Sequence, residues 1–233
     1  MKSFKAKIAK NKTPVKEIEN KRAKLKKENE DYGFKTIFKD CRIAALVGKT
    51  NCGKTNNIVY LIDEFRQHNE TTNIYIYGFK PDVTNYLKNN YGCIEISSIK
   101  QLVNKKDCIF ICDEVQKMKL NDRRYKDEVD EFKNFVYHNN VYALLSGPDI
   151  RMFNSVIGSI IEKWLLKSVN ADQCINGSQL KKVVMAYNGQ HKVLGDIVVD
   201  KSQIIVVNDD EEIILECPYV KEVDTKLKNE SIF

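Results

Sequence analysis

Gly48-Lys49-Thr50-Asn51-Cys52-Gly53-Lys54-Thr55 is the stretch that decides the fold of this chain. Directly before it stands Cys41-Arg42-Ile43-Ala44-Ala45-Leu46-Val47, an apolar run too short and too sharply bounded for a helix. Directly after it, Asn56-Asn57-Ile58-Val59-Tyr60-Leu61-Ile62-Asp63-Glu64-Phe65 has helical periodicity. The local order is strand, loop, helix. In that setting the spacing GxxxxGK[ST] reads as a phosphate-binding loop, because glycines let backbone N–H groups wrap phosphate oxygens while the helix presents its positive end to them. Lys54 is placed to reach the β- and γ-phosphates, and the Thr55 hydroxyl to coordinate Mg²⁺. A plain glycine turn does not explain Lys54-Thr55 at the helix start. The expected nucleotide-binding segment is therefore Gly48, Lys49, Thr50, Asn51, Cys52, Gly53, Lys54, Thr55 and the adjoining Asn56, with ATP and Mg²⁺ as the expected ligands.

Such a site needs a carboxylate at the tip of a neighbouring strand. Cys108-Ile109-Phe110-Ile111-Cys112-Asp113-Glu114 supplies it, an apolar run followed by two acids. Asp113 is the expected partner of Thr55 around magnesium, and Glu114 the expected general base that polarises an attacking water. That pairing suits hydrolysis. Small-molecule kinases instead position a substrate hydroxyl and use an arginine-rich lid, and this chain has only Arg22, Arg42, Arg66, Arg123, Arg124 and Arg151. Ser146 ends the apolar run Val141-Tyr142-Ala143-Leu144-Leu145 and is the candidate γ-phosphate sensor if that strand lies beside the one bearing Asp113. Asn139 and Asn140 fall at the other end of the same strand. Charge in the transition state is often neutralised by an arginine from a neighbouring subunit. Arg124 and Arg151 are the favoured candidates over Arg123, although each also reads as an ordinary solvated arginine.

Outward from the loop, strand-like and helix-like segments alternate. Asn73 to Tyr77 is β-rich, Asp82 to Asn89 fits a short helix, Cys93 to Ile96 a strand, residues 98–104 a short helix, and Asp127 to Tyr137 a charged helix before Val141. Met152 to Ile161 reads as a helix and Lys163 to Val169 as a strand. Beyond these, Lys182 to Ala186, Asp196 to Val199 and the pair Gln203–Val207 and Glu212–Glu216 read as strands, the last two joined by a hairpin turn. The alternation predicts an α/β fold with a mostly parallel sheet and helices on both faces, which together with the phosphate-binding loop resembles the RecA-like P-loop sheet. The expected organisation is a basic, partly helical N-terminal arm over 1–39, an ATPase core over 40–172 and a β-rich C-terminal extension over 173–233.

Charge is uneven. Residues 1–31 hold eleven Lys/Arg against five Asp/Glu, which accounts for the entire formal net charge of +6. Electrostatic attraction to an acidic partner is thus concentrated in the arm. The seven cysteines sit mostly in apolar runs; Cys108 and Cys112 share a strand face, but no CxxC or histidine completes a metal set, so they read as small buried hydrophobes. No signal-peptide h-region and no long apolar stretch is present, which predicts a soluble, intracellular protein without a membrane partner.

The order of features resembles the FtsK/HerA group of P-loop ATPases, most nearly the small genome-packaging ATPases of double-jelly-roll DNA viruses and virophages. The resemblance rests on Leu46 to Thr55, on Phe110-Ile111-Cys112-Asp113-Glu114, and on Tyr137-His138-Asn139-Asn140-Val141-Tyr142-Ala143-Leu144-Leu145-Ser146-Gly147-Pro148-Asp149-Ile150-Arg151-Met152-Phe153-Asn154. It covers roughly residues 41–170. The family's sensor glutamine falls at Gly147 and its arginine before the histidine at Tyr137, so the sensor is Ser146 or another residue. The resemblance implies a homo-oligomeric ring of five or six subunits that hydrolyses ATP between subunits and drives double-stranded DNA through its centre. By the same resemblance the arm would contact DNA, a capsid or portal protein, or the next subunit. Two other readings stay open: a nucleotide-dependent assembly or switch protein with slow hydrolysis, and a nucleoside or nucleotide kinase.

Overall fold

A computed structural model describes residues 33–68, 71–118, 123–149, 152–153, 155–169, 197–198, 201–207 and 212–217. The basic stretch 1–31 and the strand expected at 182–186 lie outside these residues, as does Arg151.

The chain begins its described course with α1 (Gly33–Ile37), then β1 (Ile43–Val47), the phosphate loop and α2 (Lys54–His68). There follow β2 (Asn73–Tyr77), α3 (Pro81–Tyr91), β3 (Ile94–Glu95), β4 (Cys108–Cys112), α4 (Lys126–His138) and β5 (Val141–Gly147). The last elements are α5 (Ser155–Gly158), β6 (Lys163–Leu166), β7 (Ser168–Val169), β8 (Ile197–Val198), β9 (Gln203–Val207) and β10 (Glu212–Glu216). Eight strands form one sheet in the order β10-β9-β6-β1-β5-β4-β2-β3, parallel from β6 to β3, with β9 and β10 added as an antiparallel hairpin on the β6 edge. The pair β7 and β8 makes a small sheet of its own.

Every residue of β1 and β4 is buried, which is why both sequences are continuously apolar: a parallel sheet is covered on both faces. Right-handed crossovers place the covering helices. The steps from β1 to β2 and β2 to β3 run one way across the sheet, so α2 and α3 share a face; the steps from β4 to β5 and β5 to β6 run the other way, so α4 and α5 take the opposite face. On that second face Val129, Phe132 and Val136 of α4 pack against Phe110, Ala143 and Leu145, with the Phe132 ring edge-on to Phe110 at 5.8 Å. On the first, α2 buries Ile58, Leu61, Ile62 and Phe65 at helical spacing.

Register aligns the strand ends that matter. Val47 pairs with Gly147 and with Leu166, and Cys112 pairs with Leu145. The segments leaving β1, β4 and β5 therefore emerge along one edge of the sheet, where ligands of such folds bind.

Several expected elements are shorter than their sequences imply, among them the strand expected over Cys93 to Ile96, which is only Ile94–Glu95. Among the described residues of the helix expected over 152–161, Ser155–Gly158 is α-helical; Gly158 weakens it, and the chain then turns through i→i+3 bonds from Ser159 N–H to Val156 O and from Ile160 N–H to Ile157 O. The helix at 98–104 is a 3₁₀ turn over Ile99–Leu102, opened by a Ser98/Gln101 capping box. The strand at 163–169 breaks after Leu166, and its last residues pair with β8 instead. Among the described residues no helix is long and apolar enough to cross a membrane. Cys108 and Cys112 are both core residues of β4.

Candidate functional site

The phosphate loop is shaped by backbone before it is shaped by side chains. Gly48, buried at the end of β1, donates its N–H to the Gly147 carbonyl at 3.3 Å. Asn51 (φ 63°) and Gly53 (φ 95°) are left-handed, the two bends that curl the loop back over the start of α2. The helical ladder then starts with Asn57 N–H to Gly53 O at 3.0 Å. Lys54 Nζ donates to the carbonyls of Gly48 at 2.6 Å and Lys49 at 2.9 Å, so its ammonium spans the loop mouth.

The second wall comes from β4. Asp113 extends the parallel ladder by donating its N–H to Tyr77 O at 2.9 Å, which carries its side chain to the first turn of α2. There its Oδ2 accepts a hydrogen bond from Thr55 Oγ1 at 3.1 Å, across 58 positions of sequence. Burial pushes the Asp113 carboxyl above its ordinary value, while the hydrogen bond from Thr55 and the nearness of the Ser146 hydroxyl pull it back. Ser146 is fully buried, and its Oγ makes no hydrogen bond of full geometry, so it faces the carboxylate with capacity to spare. One hydroxyl and one carboxylate are the hard oxygen donors that suit Mg²⁺, which takes few protein ligands beside substrate phosphates and water. No cluster of three or more His, Cys, Asp or Glu ligands occurs among the described residues.

Glu114 follows on a left-handed backbone (φ 69°) that turns it off the strand line. Its Oε2 pairs with Lys117 Nζ at 2.6 Å, and Lys117 also donates to the Gly78 carbonyl at 2.7 Å. Thus Lys54, Thr55, Asp113, Glu114 and Ser146 are gathered at one sheet edge, as their strand positions require. Arg124 stands exposed in the 3₁₀ turn before α4. Asn140 lies at the opposite end, where it donates to Asp107 at 2.7 Å.

The sequence matches no protein-family model and no curated protein. Solved structures do match in shape. The DNA-packaging ATPase B204 of Sulfolobus turreted icosahedral virus superposes with a TM-score of 0.54 at 11% identity, over 76% of this chain and 98% of that one. The ATPase 2 and 3 region of Thermomonospora curvata EccC, in complex with a signal sequence peptide, gives 0.51 at 9% identity over 79% of this chain and 38% of that one. The cytoplasmic domain of the same type VII secretion ATPase gives 0.52 at 9% identity, over 79% of this chain and 24% of that one.

The chain has the P-loop ATPase fold.

Within that fold several residues near the strand tips carry no sequence signal of their own. A Cβ on Gly78 (φ 81°) would stand 2.2 Å from the Asp113 carbonyl oxygen, so only glycine lets β2 pass beneath Asp113. Lys117 is reachable from sequence only as a cation three residues after Glu114. Gly147 is closed to any side chain: a Cβ there would meet the Phe153 ring at 2.7 Å and Val115 Cγ1 at 3.3 Å. The position where a sensor glutamine falls by resemblance is filled by Phe153. Tyr137, where an arginine falls, donates its hydroxyl to Glu162 at the far end of the sheet, and that acceptor helps push the phenol up to about 12, after burial.

Proposed function

We propose that this chain is an ATP-hydrolysing motor that translocates double-stranded DNA, working as a homo-oligomeric ring of five or six subunits in viral genome packaging. The observation that carries the ATPase part is the 3.1 Å hydrogen bond from Thr55 to Asp113, which joins the phosphate loop to the acidic strand tip in one site. Lys54 would bind the β- and γ-phosphate oxygens in place of the Gly48 and Lys49 carbonyls it now holds. Thr55 and Asp113 would hold Mg²⁺, which when bound neutralises charge on those oxygens. Glu114 would accept the proton of an attacking water, and Ser146, buried beside Asp113, would orient the γ-phosphate end of the site. Arg124 or Arg151 of a neighbouring subunit is proposed as the trans cation.

The DNA part rests on observations of a different kind. Its supports are the Tyr137–Asn154 resemblance, the surplus of positive charge in residues 1–31, and the shape match along nearly the whole of a viral DNA-packaging ATPase. The ion pair between Glu114 and Lys117 favours a second reading, a switch or assembly protein in which the base is held back and hydrolysis is slow.

One experiment separates them: ATP hydrolysis with and without duplex DNA, with native mass measured in a non-hydrolysable ATP analogue. The motor reading expects DNA-stimulated turnover and a ring mass. Slow turnover indifferent to DNA supports the switch, and phosphate transfer to a nucleoside acceptor would support a kinase.

A further inference from the structure

The carbonyl oxygen of Lys201, at the turn leading into β9, is a meeting point for three separated parts of the chain. Lys167, which follows β6 and is fully buried, donates its Nζ to this oxygen at 2.5 Å and to the Gln203 carbonyl at 2.6 Å. Asn57, fully buried in the first turn of α2, donates Nδ2 to the same oxygen at 3.3 Å. Gly53 of the phosphate loop lies directly against it: a Cβ there would be 3.3 Å from Lys201 O and 3.7 Å from Lys167 Cε. Lys167 is itself tied to the loop strand, its N–H donating to Val47 O at 2.8 Å.

A buried ammonium is costly unless its protons are satisfied, and an apolar side chain at this strand end would fill the space without that demand. What the ammonium adds is direction. It holds the 201–203 backbone in one position, and that backbone walls the loop at Gly53, where the left-handed turn is made.

We infer that Lys167 is a positioning residue for the phosphate loop, acting through the Lys201 carbonyl, and that this contact couples the β9–β10 hairpin to nucleotide binding. The inference rests on the reading of residues 48–55 as an ATP site. Lys167 touches no phosphate in this account; it fixes the wall against which Gly53 and Asn57 are set.

The test is hydrogen exchange on the full-length protein with and without a non-hydrolysable ATP analogue and Mg²⁺. Slowed exchange in both 48–57 and 201–207 is the expected result. Protection confined to 48–57 overturns this inference and leaves the ATP site standing, whereas protection in neither segment overturns both. In steady-state kinetics Lys167→Met should raise KM for ATP roughly tenfold, with a smaller effect on kcat, since it loosens the loop without touching Glu114. An unchanged KM in a folded Lys167→Met protein also overturns it. If that variant does not fold, the wild-type exchange pattern decides.

Discussion

At the scale of single residues, the site trades stability for a charge. Because burial holds the Asp113 carboxyl above its ordinary value, the unfolded chain gives up this proton first as pH rises. Between the two values the folded state binds more protons than the unfolded one, so stability falls with rising pH through that window. Asp113→Asn should flatten that part of the melting-temperature profile in metal-free, nucleotide-free buffer and raise the melting temperature at neutral pH, while Mg²⁺-dependent hydrolysis is lost. A variant that melts lower at neutral pH would contradict the assignment of burial as the dominant cause. Cysteine chemistry gives an independent readout. Burial pushes Cys41 up to about 12 and Cys93 and Cys108 up to about 11, whereas Cys52 sits partly exposed in the loop. Of these, Cys52 should be alkylated first, and ATP should slow its labelling, as peptide mapping after brief thiol modification would show. Equal labelling of Cys52 with and without ATP would speak against the loop as the nucleotide site.

The residues that sequence points to are those whose side-chain type and spacing are distinctive, and the structure brings two of them, Thr55 and Asp113, into hydrogen-bond contact. Lys54, Thr55 and Asp113 declare themselves because a lysine-threonine pair at a helix start and an acid after an apolar strand have few other uses. Gly78 and Lys117 did not, since their importance depends on which backbone passes which. Gly78→Ala tests that dependence: it meets both a left-handed φ and a carbonyl 2.2 Å from its Cβ, and should cost on the order of 2 kcal/mol in urea unfolding. A neutral substitution would mean the β2 tip moves freely away from Asp113.

At the scale of elements, the sheet order does what the sequence pattern only allowed. Alternating apolar strands implied parallel neighbours, and the hairpin at Gln203–Val207 and Glu212–Glu216 was readable from its turn residues, but nothing local said that it would pair with β6. The same limit applies to the segment after β5. Its apolar spacing reads as a long helix, yet Phe153 is drawn out of helical geometry to fill the space over Gly147, where it also packs edge-on to Trp164 at 5.5 Å. Tertiary packing there overrides periodicity. The helix α4 covers the β4–β5 pair through Val129, Phe132 and Val136. Phe132→Ala should lower stability by about 3–5 kcal/mol, read as a lower urea midpoint with an unchanged slope. A change under about 1 kcal/mol would mean that the α4 face is not part of the cooperative core.

For the whole molecule, charge and catalysis are separated along the chain. The net positive charge belongs to residues 1–31, whereas the proposed hydrolytic cluster, with Thr55 bonded to Asp113, belongs to the sheet edge. A motor built this way should lose DNA stimulation as salt rises, because binding through lysines and arginines releases counterions, while DNA-independent turnover changes much less. The phosphate loop thus belongs to a larger edge, reaching from Gly53 through Asp113 to the turn at Lys201. The measurement that bears most directly on the central claim is ATP turnover by the wild-type chain and by Glu114→Gln, side by side with duplex DNA and Mg²⁺ present. The account predicts DNA-stimulated turnover in the wild type and a loss of at least about a hundredfold in Glu114→Gln with ATP still bound. Normal turnover in the glutamine variant would contradict it.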